Sequence, residues 1–309
     1  MAIACLDDPS TGTRWGAELR RLRPDLDYRI WPDIGDPRDV SVALLWDQIN
    51  LLPSLPCLRA AVVTGAGVDH VFRSETPVPE GVTLIRLADP SITSQMIEWV
   101  TLAVLTHTRR WDDYRDLQRQ GRYEELETRV PAETTVGVLG LGELGRAVAV
   151  TLAAIGYGVQ GWSRGARTVD GLVCRHGPDG LDTLLRDADI VICLLPLTPE
   201  TEGLIDAGFL ARMKPGAHLI NAARGGHVVE ADILAALGTG RLAGATLDVQ
   251  RDEPMAPGHP FWTHPKVSIT PHIATITHPR FCAAQVIETY RRVEAGLPLH
   301  NVIDRTRRY

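Results

Sequence analysis

The stretch TTVGVLGLGELGRAVAVTLAAIG, residues 134–156, decides the fold of this chain. It opens with a short run of apolar and β-branched residues, turns through Gly140, Gly142 and Gly145, and continues with apolar residues at helical spacing. A strand, a GxGxxG turn and a helix in this order are typical of a dinucleotide-binding unit. The first glycine permits the tight turn, the second lets a pyrophosphate approach the backbone, and the third lets helix and strand pack closely. The helix N-terminus offers oriented N–H groups to the phosphates.

Strand-like and helix-like segments alternate on both sides of this stretch. The strand-like runs are AIACL, DYRIW, VSVALLW, AAVVT and VTLIR before it, and GVQGWS, DIVICLL, AHLINAA, AGATLDV and KVSIT after it. Strands that alternate with helices predict a mainly parallel sheet covered on both faces. Because the strands of both halves end in similar loops, we predict an α/β protein with two doubly wound parallel-sheet domains.

Two long helix-like segments lie outside these alternating runs. One extends from about Ser91 to Gln120 and is predicted to join the two domains, and the other extends from about Pro279 to Ala295. The pattern alone leaves open whether this last helix returns to the first domain.

Composition and charge exclude several classes of partner. The chain has 309 residues and a formal net charge of −6, with no long basic stripe, so nucleic acid is not an expected partner. The N-terminal MAIACLDDPSTG carries acidic residues where a secretory signal needs positive charge, and no apolar run approaches a membrane span. We therefore expect a cytoplasmic protein without membrane contact. The five cysteines lack CxxC spacing, which favours reduced thiols over disulfides or a metal site.

The strand after the glycine turn carries the signal for the form of the dinucleotide. An NAD-specific site places Asp or Glu at its end to bind the ribose 2′-hydroxyl. This chain has GWSRGAR, residues 161–167, with Ser163 and Arg164 at the strand end and Arg167 close by. A hydroxyl and a guanidinium can hold a 2′-phosphate, which a carboxylate would repel. This favours NADP(H), with NAD(H) possible; the alternative is that the arginines only solvate a loop.

Three residues suited to carbonyl chemistry follow later strands of the same unit. Arg224 follows HLINAA, Glu253 follows ATLDVQRD, and His272 follows KVSITP, at the strand ends where ligands bind in such sheets. Histidine is the natural acid near neutral pH, and a carboxylate such as Glu253 orients its ring and favours its protonated form. Arg224 can hold a carboxylate and a keto oxygen with its planar fork. These residues predict a small 2-oxo acid as substrate, and the glycines after Arg224 are expected to leave room for substrate and nicotinamide.

In their order and spacing, GLGELG, LLPLTPETEGLI, NAARGGHVVE, LDVQRDEP and TPHIA resemble the D-isomer-specific 2-hydroxyacid dehydrogenase family. The resemblance covers roughly residues 60–309, and WSR, RRWDDYR, WTHP, HIATIT and the terminal RTRRY are similar to its bacterial glyoxylate/hydroxypyruvate reductase A subgroup. It implies NADPH-dependent reduction of glyoxylate and hydroxypyruvate to 2-hydroxy acids. It also implies that His272 donates the proton and that Arg224 and Glu253 assist it.

The full set of expected contacts combines the glycine motif with positions that the resemblance implies. The expected cofactor-binding residues are Gly140, Leu141, Gly142, Glu143, Leu144, Ser163, Arg164, Leu195, Pro196, Ala222, Ala223 and Asp248. The expected substrate-binding residues are Trp46, Gly67, Val68 and Arg224. The resemblance places Asp248 near the nicotinamide carboxamide, and it assigns the backbone N–H groups of GAGVDH to the substrate carboxylate.

The resemblance further implies a Rossmann cofactor domain over residues 99–280. A flavodoxin-like substrate domain would comprise residues 1–98 plus 281–309 and would be discontinuous, because the last helix packs back on it. A homodimer built largely through the cofactor domain is also implied. Two features depart from the subgroup: HIATIT lacks a small residue pair after HIA, and Tyr123 replaces a common tryptophan.

Two alternatives stay open at this point. One is an NAD-dependent D-2-hydroxyacid dehydrogenase of another specificity, such as a D-lactate or phosphoglycerate type, against which the missing strand-end carboxylate argues. The other is a non-enzymatic dinucleotide-sensing scaffold, against which the presence of Arg224, Glu253 and His272 argues. Turnover with a simple 2-oxo acid would separate an enzyme from a scaffold.

Overall fold

A computed structural model describes residues 1–65 and 67–305 of the chain. Ala66, within GAGVDH, and residues 306–309, within the predicted substrate domain, lie outside the described residues. The chain divides into two compact units, one of Met1–Ile92 with Ile276–Tyr309 and one of Thr93–Thr275.

The secondary structure alternates between strands and helices along both units. The strands are β1 Ala2–Cys5, β2 Tyr28–Ile30, β3 Val40–Leu45, β4 Ala60–Val63, β5 Thr83–Arg86, β6 Thr135–Leu139, β7 Gly158–Ser163, β8 Val173–His176, β9 Ile190–Cys193, β10 Ala217–Asn221, β11 Leu242–Leu247 and β12 Val267–Ile269. The α-helices are α1 Pro9–Leu22, α2 Ser91–Thr108, α3 Trp111–Arg119, α4 Glu143–Ile155, α5 Gly177–Asp187, α6 Ala207–Arg212, α7 Glu230–Gly238 and α8 Pro279–Ala295.

The first unit is built on a five-stranded parallel sheet with the order β2-β1-β3-β4-β5. This is the flavodoxin-like order, which confirms the predicted fold of the substrate domain. The side chain of Asp8 caps α1 by accepting from the N–H groups of Ser10 and Thr11. On one face of the sheet, Trp15 of α1 and Val286 of α8 lie in the same buried cluster. The last helix therefore belongs to this unit.

The second unit is built on a seven-stranded parallel sheet with the order β12-β11-β10-β9-β6-β7-β8. From β8 to β11 the strand order is that of a six-stranded Rossmann sheet, and β12 adds a seventh strand at one edge. This order confirms the predicted fold of the cofactor domain. The strand order reverses between β6 and β9, so the carboxyl ends of these strands mark the expected ligand edge.

The structure corrects the sequence prediction at two places. The helix expected from Ser91 to Gln120 is interrupted, because Arg110 adopts a left-handed φ of 53° that cannot continue an α-helix, and α3 begins after it. The short strand β8 was not predicted, since VCRH is a partly exposed edge strand without an apolar run. None of the helices in the described part of the chain is both long and apolar enough to cross a bilayer.

Candidate active site

The glycine-rich turn connects β6 to α4. Gly140 has a φ of 101°, a conformation that side chains disfavour. A Cβ on Gly145 would lie 1.8 Å from the carbonyl oxygen of Gly140, so only glycine lets the helix approach the turn this closely. A Cβ on Gly142 would meet nothing within 4 Å, which leaves open space beside the N-terminus of α4. The turn and the close packing expected of the motif are present, and the open space suits an approaching pyrophosphate.

The end of β7 carries the residues expected to bind a 2′-phosphate. Ser163 is buried, and its hydroxyl donates to the carbonyl of Gly165 at 2.8 Å. Arg164 is exposed beside it. Arg167 donates from Nη1 to the carbonyl of Leu141 in the glycine turn at 3.3 Å, which links this loop to the turn. No carboxylate occurs among residues 163–167, so a 2′-phosphate meets no like charge from this loop.

The other expected cofactor contacts follow the neighbouring strands of the same sheet. Leu195 and Pro196 follow β9, and Ala222 and Ala223 follow β10. The carbonyl of Pro196 lies 3.3 Å from Nε2 of His227, so the two loops meet at the edge expected for the ligand.

The loop after β10 presents Arg224. Asn221, fully buried at the strand end, accepts from the N–H of Ala223 at 3.1 Å and donates to the carbonyl of Arg224 at 3.0 Å. His227, also buried, donates from Nδ1 to the same carbonyl at 3.0 Å. The guanidinium of Arg224 donates to the carbonyl of Ala223 at 2.7 Å and is half-buried. The supporting roles of Asn221 and His227 could not be predicted from the sequence, because only the contact geometry reveals them.

Gly225 serves a different purpose from the one expected. A Cβ there would lie 1.9 Å from the carbonyl carbon and oxygen of Gln250. The missing side chain therefore makes room for the backbone after β11, and the prediction that this glycine leaves room for ligand was wrong. The close approach ties the Arg224 loop to the segment that carries Glu253.

Asp248 shapes the backbone around His272. It is 1% exposed, and its carboxylate accepts from the hydroxyl of Thr270 at 2.6 Å and from the N–H groups of Ile273 and Ala274 at 2.9 and 2.8 Å. Its carbonyl accepts from the N–H of His272 at 2.7 Å. These bonds hold His272 at a left-handed φ of 54°. The expected contact of Asp248 with a nicotinamide stays a prediction, and the structural role was not anticipated.

His272 and Glu253 form a short hydrogen bond. Nδ1 of His272 lies 2.7 Å from Oε2 of Glu253, and the N–H of Gln250 donates to Oε1 at 2.9 Å. Burial alone would raise the pKa of Glu253, but the hydrogen bonds from His272 and Gln250 and the charge of Arg224 together hold that pKa below its ordinary value. The carboxylate is therefore ionised at neutral pH. Its hydrogen bond to Nδ1 fixes the orientation of the imidazole ring.

The expected substrate residues of the first unit lie at the carboxyl edge of its own sheet. Trp46 directly follows β3, and Gly67 and Val68 lie in the loop after β4. Val68 is buried. Their contact with a substrate stays a prediction.

A cavity of about 450 Å³ lies at the opposite edge of the second sheet, beside the amino ends of β9 to β12. Several of its charged groups are paired with one another. Asp189 accepts from Lys214 at 2.7 Å and from Arg129 at 2.9 Å, and Arg110 pairs with Asp113 at 2.7 Å. None of the residues expected to bind cofactor or substrate lines this cavity.

The chain matches a protein-family model and, over most of its length, known reductases. The family model "D-isomer specific 2-hydroxyacid dehydrogenase, NAD binding domain" matches residues 101–274. A glyoxylate/hydroxypyruvate reductase A from Serratia proteamaculans is 40% identical over 295 residues, covering 94% of each chain. The reductase of the same name from Photorhabdus laumondii is 38% identical over 296 residues, again covering 94% of each chain.

Two solved structures are similar over the whole chain. A D-isomer specific 2-hydroxyacid dehydrogenase from Xanthobacter autotrophicus, in complex with NADPH and MES, has a TM-score of 0.91 and 41% identity, covering 100% of this chain and 99% of that one. An NADPH-dependent glyoxylate/hydroxypyruvate reductase from Sinorhizobium meliloti, in complex with NADP and sulfate, has a TM-score of 0.91 and 35% identity, covering 100% of both chains.

Proposed function

This chain belongs to the D-isomer specific 2-hydroxyacid dehydrogenase family, and we propose that it is an NADP-dependent enzyme that reduces glyoxylate and hydroxypyruvate to 2-hydroxy acids. The observation that carries the proposal is the 2.7 Å contact between His272 and Glu253. A histidine held by a carboxylate at the ligand edge of a Rossmann sheet is suited to protonate a carbonyl oxygen beside a bound nicotinamide. The two substrates are those for which the Serratia and Photorhabdus relatives are named.

The residues of the second unit fit NADPH. Gly142 leaves open space, and α4 begins at the next residue, so the N–H groups of its first turn can bind the pyrophosphate. Ser163 and Arg164 offer a hydroxyl and a guanidinium to the 2′-phosphate. The NADPH complex of the Xanthobacter protein and the NADP complex of the Sinorhizobium enzyme support this assignment. When bound, the cofactor supplies the hydride.

Arg224 is proposed to hold the substrate. Its planar guanidinium can donate to the carboxylate and the keto oxygen together, which orients the carbonyl and stabilises the negative charge that develops on its oxygen. In the first unit, the backbone N–H groups of Gly67 and Val68 are proposed as further substrate contacts. Because Asn221 and His227 fix the carbonyl of Arg224, the base of this side chain is set before substrate binds.

His272 is proposed to donate the proton. Glu253 accepts from Nδ1, so the proton on Nε2 is the one available to the substrate oxygen. Glu253 stays ionised and stabilises the imidazolium until the transfer. After the transfer, the neutral ring keeps its hydrogen bond from Nδ1 to Glu253, so the orientation of the ring is preserved.

A steady-state panel tests this function. We expect kcat/KM to be highest for glyoxylate and hydroxypyruvate, lower for pyruvate and phenylpyruvate, and higher with NADPH than with NADH. A preference for NADH would favour the NAD-dependent alternative. Binding of NADPH without turnover of any 2-oxo acid would favour the non-enzymatic scaffold.

We also propose that the enzyme acts in the cytoplasm as a homodimer formed through the cofactor domain. The segment between α2 and β6 supports this, since it leaves the large apolar side chains of Trp111, Tyr123 and Val130 exposed. Light scattering coupled to size-exclusion chromatography should give twice the chain mass of 33.8 kDa. Replacing Trp111 and Tyr123 with Ser should shift the protein toward the monomer.

A further inference from the structure

In the first unit, Asp7 and His70 hold Trp46 through hydrogen bonds to its backbone and a stacked ring. We propose that His70 is a positioning residue that makes Trp46, whose backbone N–H is held by Asp7, a fixed wall of the 2-oxo acid pocket and so selects small substrates. This inference rests on the proposed function and on the expected contact of Trp46 with the substrate.

The cluster lies where the fold of the first unit predicts a ligand. Asp7 comes two residues after the end of β1, and Trp46 directly follows β3. β1 and β3 are neighbours at the point where the strand order of this sheet reverses. In a flavodoxin-like sheet, ligands bind outside the carboxyl ends of the strands at that point. Trp46 therefore occupies the ligand edge of this unit.

Asp7 fixes the backbone of Trp46 from one side. The carboxylate is 6% exposed, and its Oδ1 accepts from the N–H of Trp46 at 2.9 Å. Its Oδ2 accepts from the hydroxyl of Thr64, which directly follows β4, at 3.3 Å. One buried carboxylate thus joins the ends of three neighbouring strands.

His70 fixes both the backbone and the ring of Trp46. Its Nε2 donates to the carbonyl of Trp46 at 2.7 Å, and its ring stacks on the indole with centroids 3.9 Å apart and planes 28° apart. The indole also rests on the backbone of Gly65, since a Cβ there would lie 2.0 Å from Cζ3 of Trp46. A single histidine therefore restrains the carbonyl and the indole together.

An indole held in this way excludes large substituents by its position. A mobile tryptophan would move aside for a bulky 2-oxo acid at little cost, whereas a fixed one cannot. Steric and contact differences of this kind typically change kcat/KM by roughly 10- to 200-fold per group. The expected consequence of loosening Trp46 is therefore a loss of selectivity for small substrates.

The experiment measures kcat/KM for glyoxylate and for phenylpyruvate at saturating NADPH. The variants are His70→Ala, His70→Phe, which keeps a ring without the donor, His70→Gln, which keeps a donor without the ring, and Trp46→Ala. The double variant of His70→Ala and Trp46→Ala completes the cycle. His300→Ala, an exposed histidine of the same unit, serves as the control.

We expect the glyoxylate-to-phenylpyruvate ratio to fall roughly tenfold or more in His70→Ala and in Trp46→Ala, with no further fall in the double variant. His70→Phe and His70→Gln should each restore part of the ratio. If His70→Ala does not fold, these two variants take its place in the test. An unchanged ratio in active His70 variants, beside a reduced ratio in Trp46→Ala, would overturn the role of His70 while leaving the proposed function intact. Absence of turnover in the wild type would instead contradict the proposed function itself.

Discussion

At the scale of single residues, His272 depends on two carboxylates with separate tasks. Glu253 accepts from its ring, and the carboxylate of Asp248 accepts from the Thr270 hydroxyl before it and from the Ala274 N–H after it. A left-handed φ at a residue other than glycine costs on the order of 1 kcal/mol, and the several bonds of Asp248 offset that cost. The position of the ring is therefore set by the loop, and its orientation is set by the hydrogen bond to Glu253.

The hydrogen bond between His272 and Glu253 predicts a pH profile. In the proposed mechanism His272 donates the proton, so the rate of reduction should fall as pH rises and the imidazolium is lost. In Glu253→Gln the ring loses the charge that stabilises its protonated form, so this alkaline limb should move to lower pH. The measurement is kcat against pH for wild type and variant, with a deuterated cofactor to show that hydride transfer limits the rate.

His272→Ala provides the reference for this profile. It should lose roughly 10²- to 10⁴-fold in kcat, the usual contribution of a general acid, and bind NADPH as the wild type does. If the alkaline limb of Glu253→Gln coincides with that of the wild type, Glu253 is not the partner that stabilises the acid.

Arg164 carries the prediction for cofactor choice. Arg164→Ala should raise KM for NADPH on the order of 10- to 100-fold, the size expected for losing a hydrogen bond to a charged group, and should leave KM for NADH nearly unchanged. Arg186→Ala removes another exposed arginine of the same unit and should affect neither constant. Equal losses with both cofactors would remove Arg164 from the 2′-phosphate site.

At the scale of elements, the loops after β10 and β11 meet at Gly225. In Gly225→Ala the new Cβ would meet the backbone of Gln250, so the loops must separate, at a cost of roughly 1–3 kcal/mol. Because the N–H of Gln250 donates to Glu253, kcat should fall together with the thermal midpoint. In Gly238→Ala nothing lies within 4 Å of the new Cβ, so this helical control should keep both values. A stable, fully active Gly225→Ala variant would contradict the contact.

The elements also show which features a sequence can predict. Buried parallel strands such as β4 and β9 are continuous apolar runs, and glycine or polar residues follow many of the strands, so both the sheets and the positions of Arg224 and His272 could be predicted. The edge strand β8 could not, because pairing rather than composition defines it. The bonds of Asp248 also depend on residues more than twenty positions away, which no local pattern encodes.

At the scale of the whole molecule, a pair of histidines links folding stability to pH. The rings of His107 and His218 stack with centroids 4.0 Å apart beside the amino ends of the second sheet. Burial lowers the pKa of His107, which Asp113 and Asp189 offset in part. Burial and the nearby His107 hold the pKa of His218 well below its ordinary value, so that ring stays neutral in the folded state.

Folding should therefore become less favourable as the solution is acidified. In the unfolded chain a histidine has a pKa of about 6.5, so below that pH His218 binds a proton only when the chain is unfolded. This lowers the free energy of unfolding by roughly 1.4 kcal/mol at pH 5.5. Chemical denaturation at pH 7.5 and 5.5 measures this loss of stability in wild type and in His218→Gln. The carboxylates titrate alike in both proteins, so their contribution cancels when the two losses are compared. We expect the variant to lose less stability on acidification, and His300→Gln, at an exposed site, to lose as much as the wild type. An identical loss in wild type and His218→Gln would mean that the buried ring accepts its proton in the folded protein.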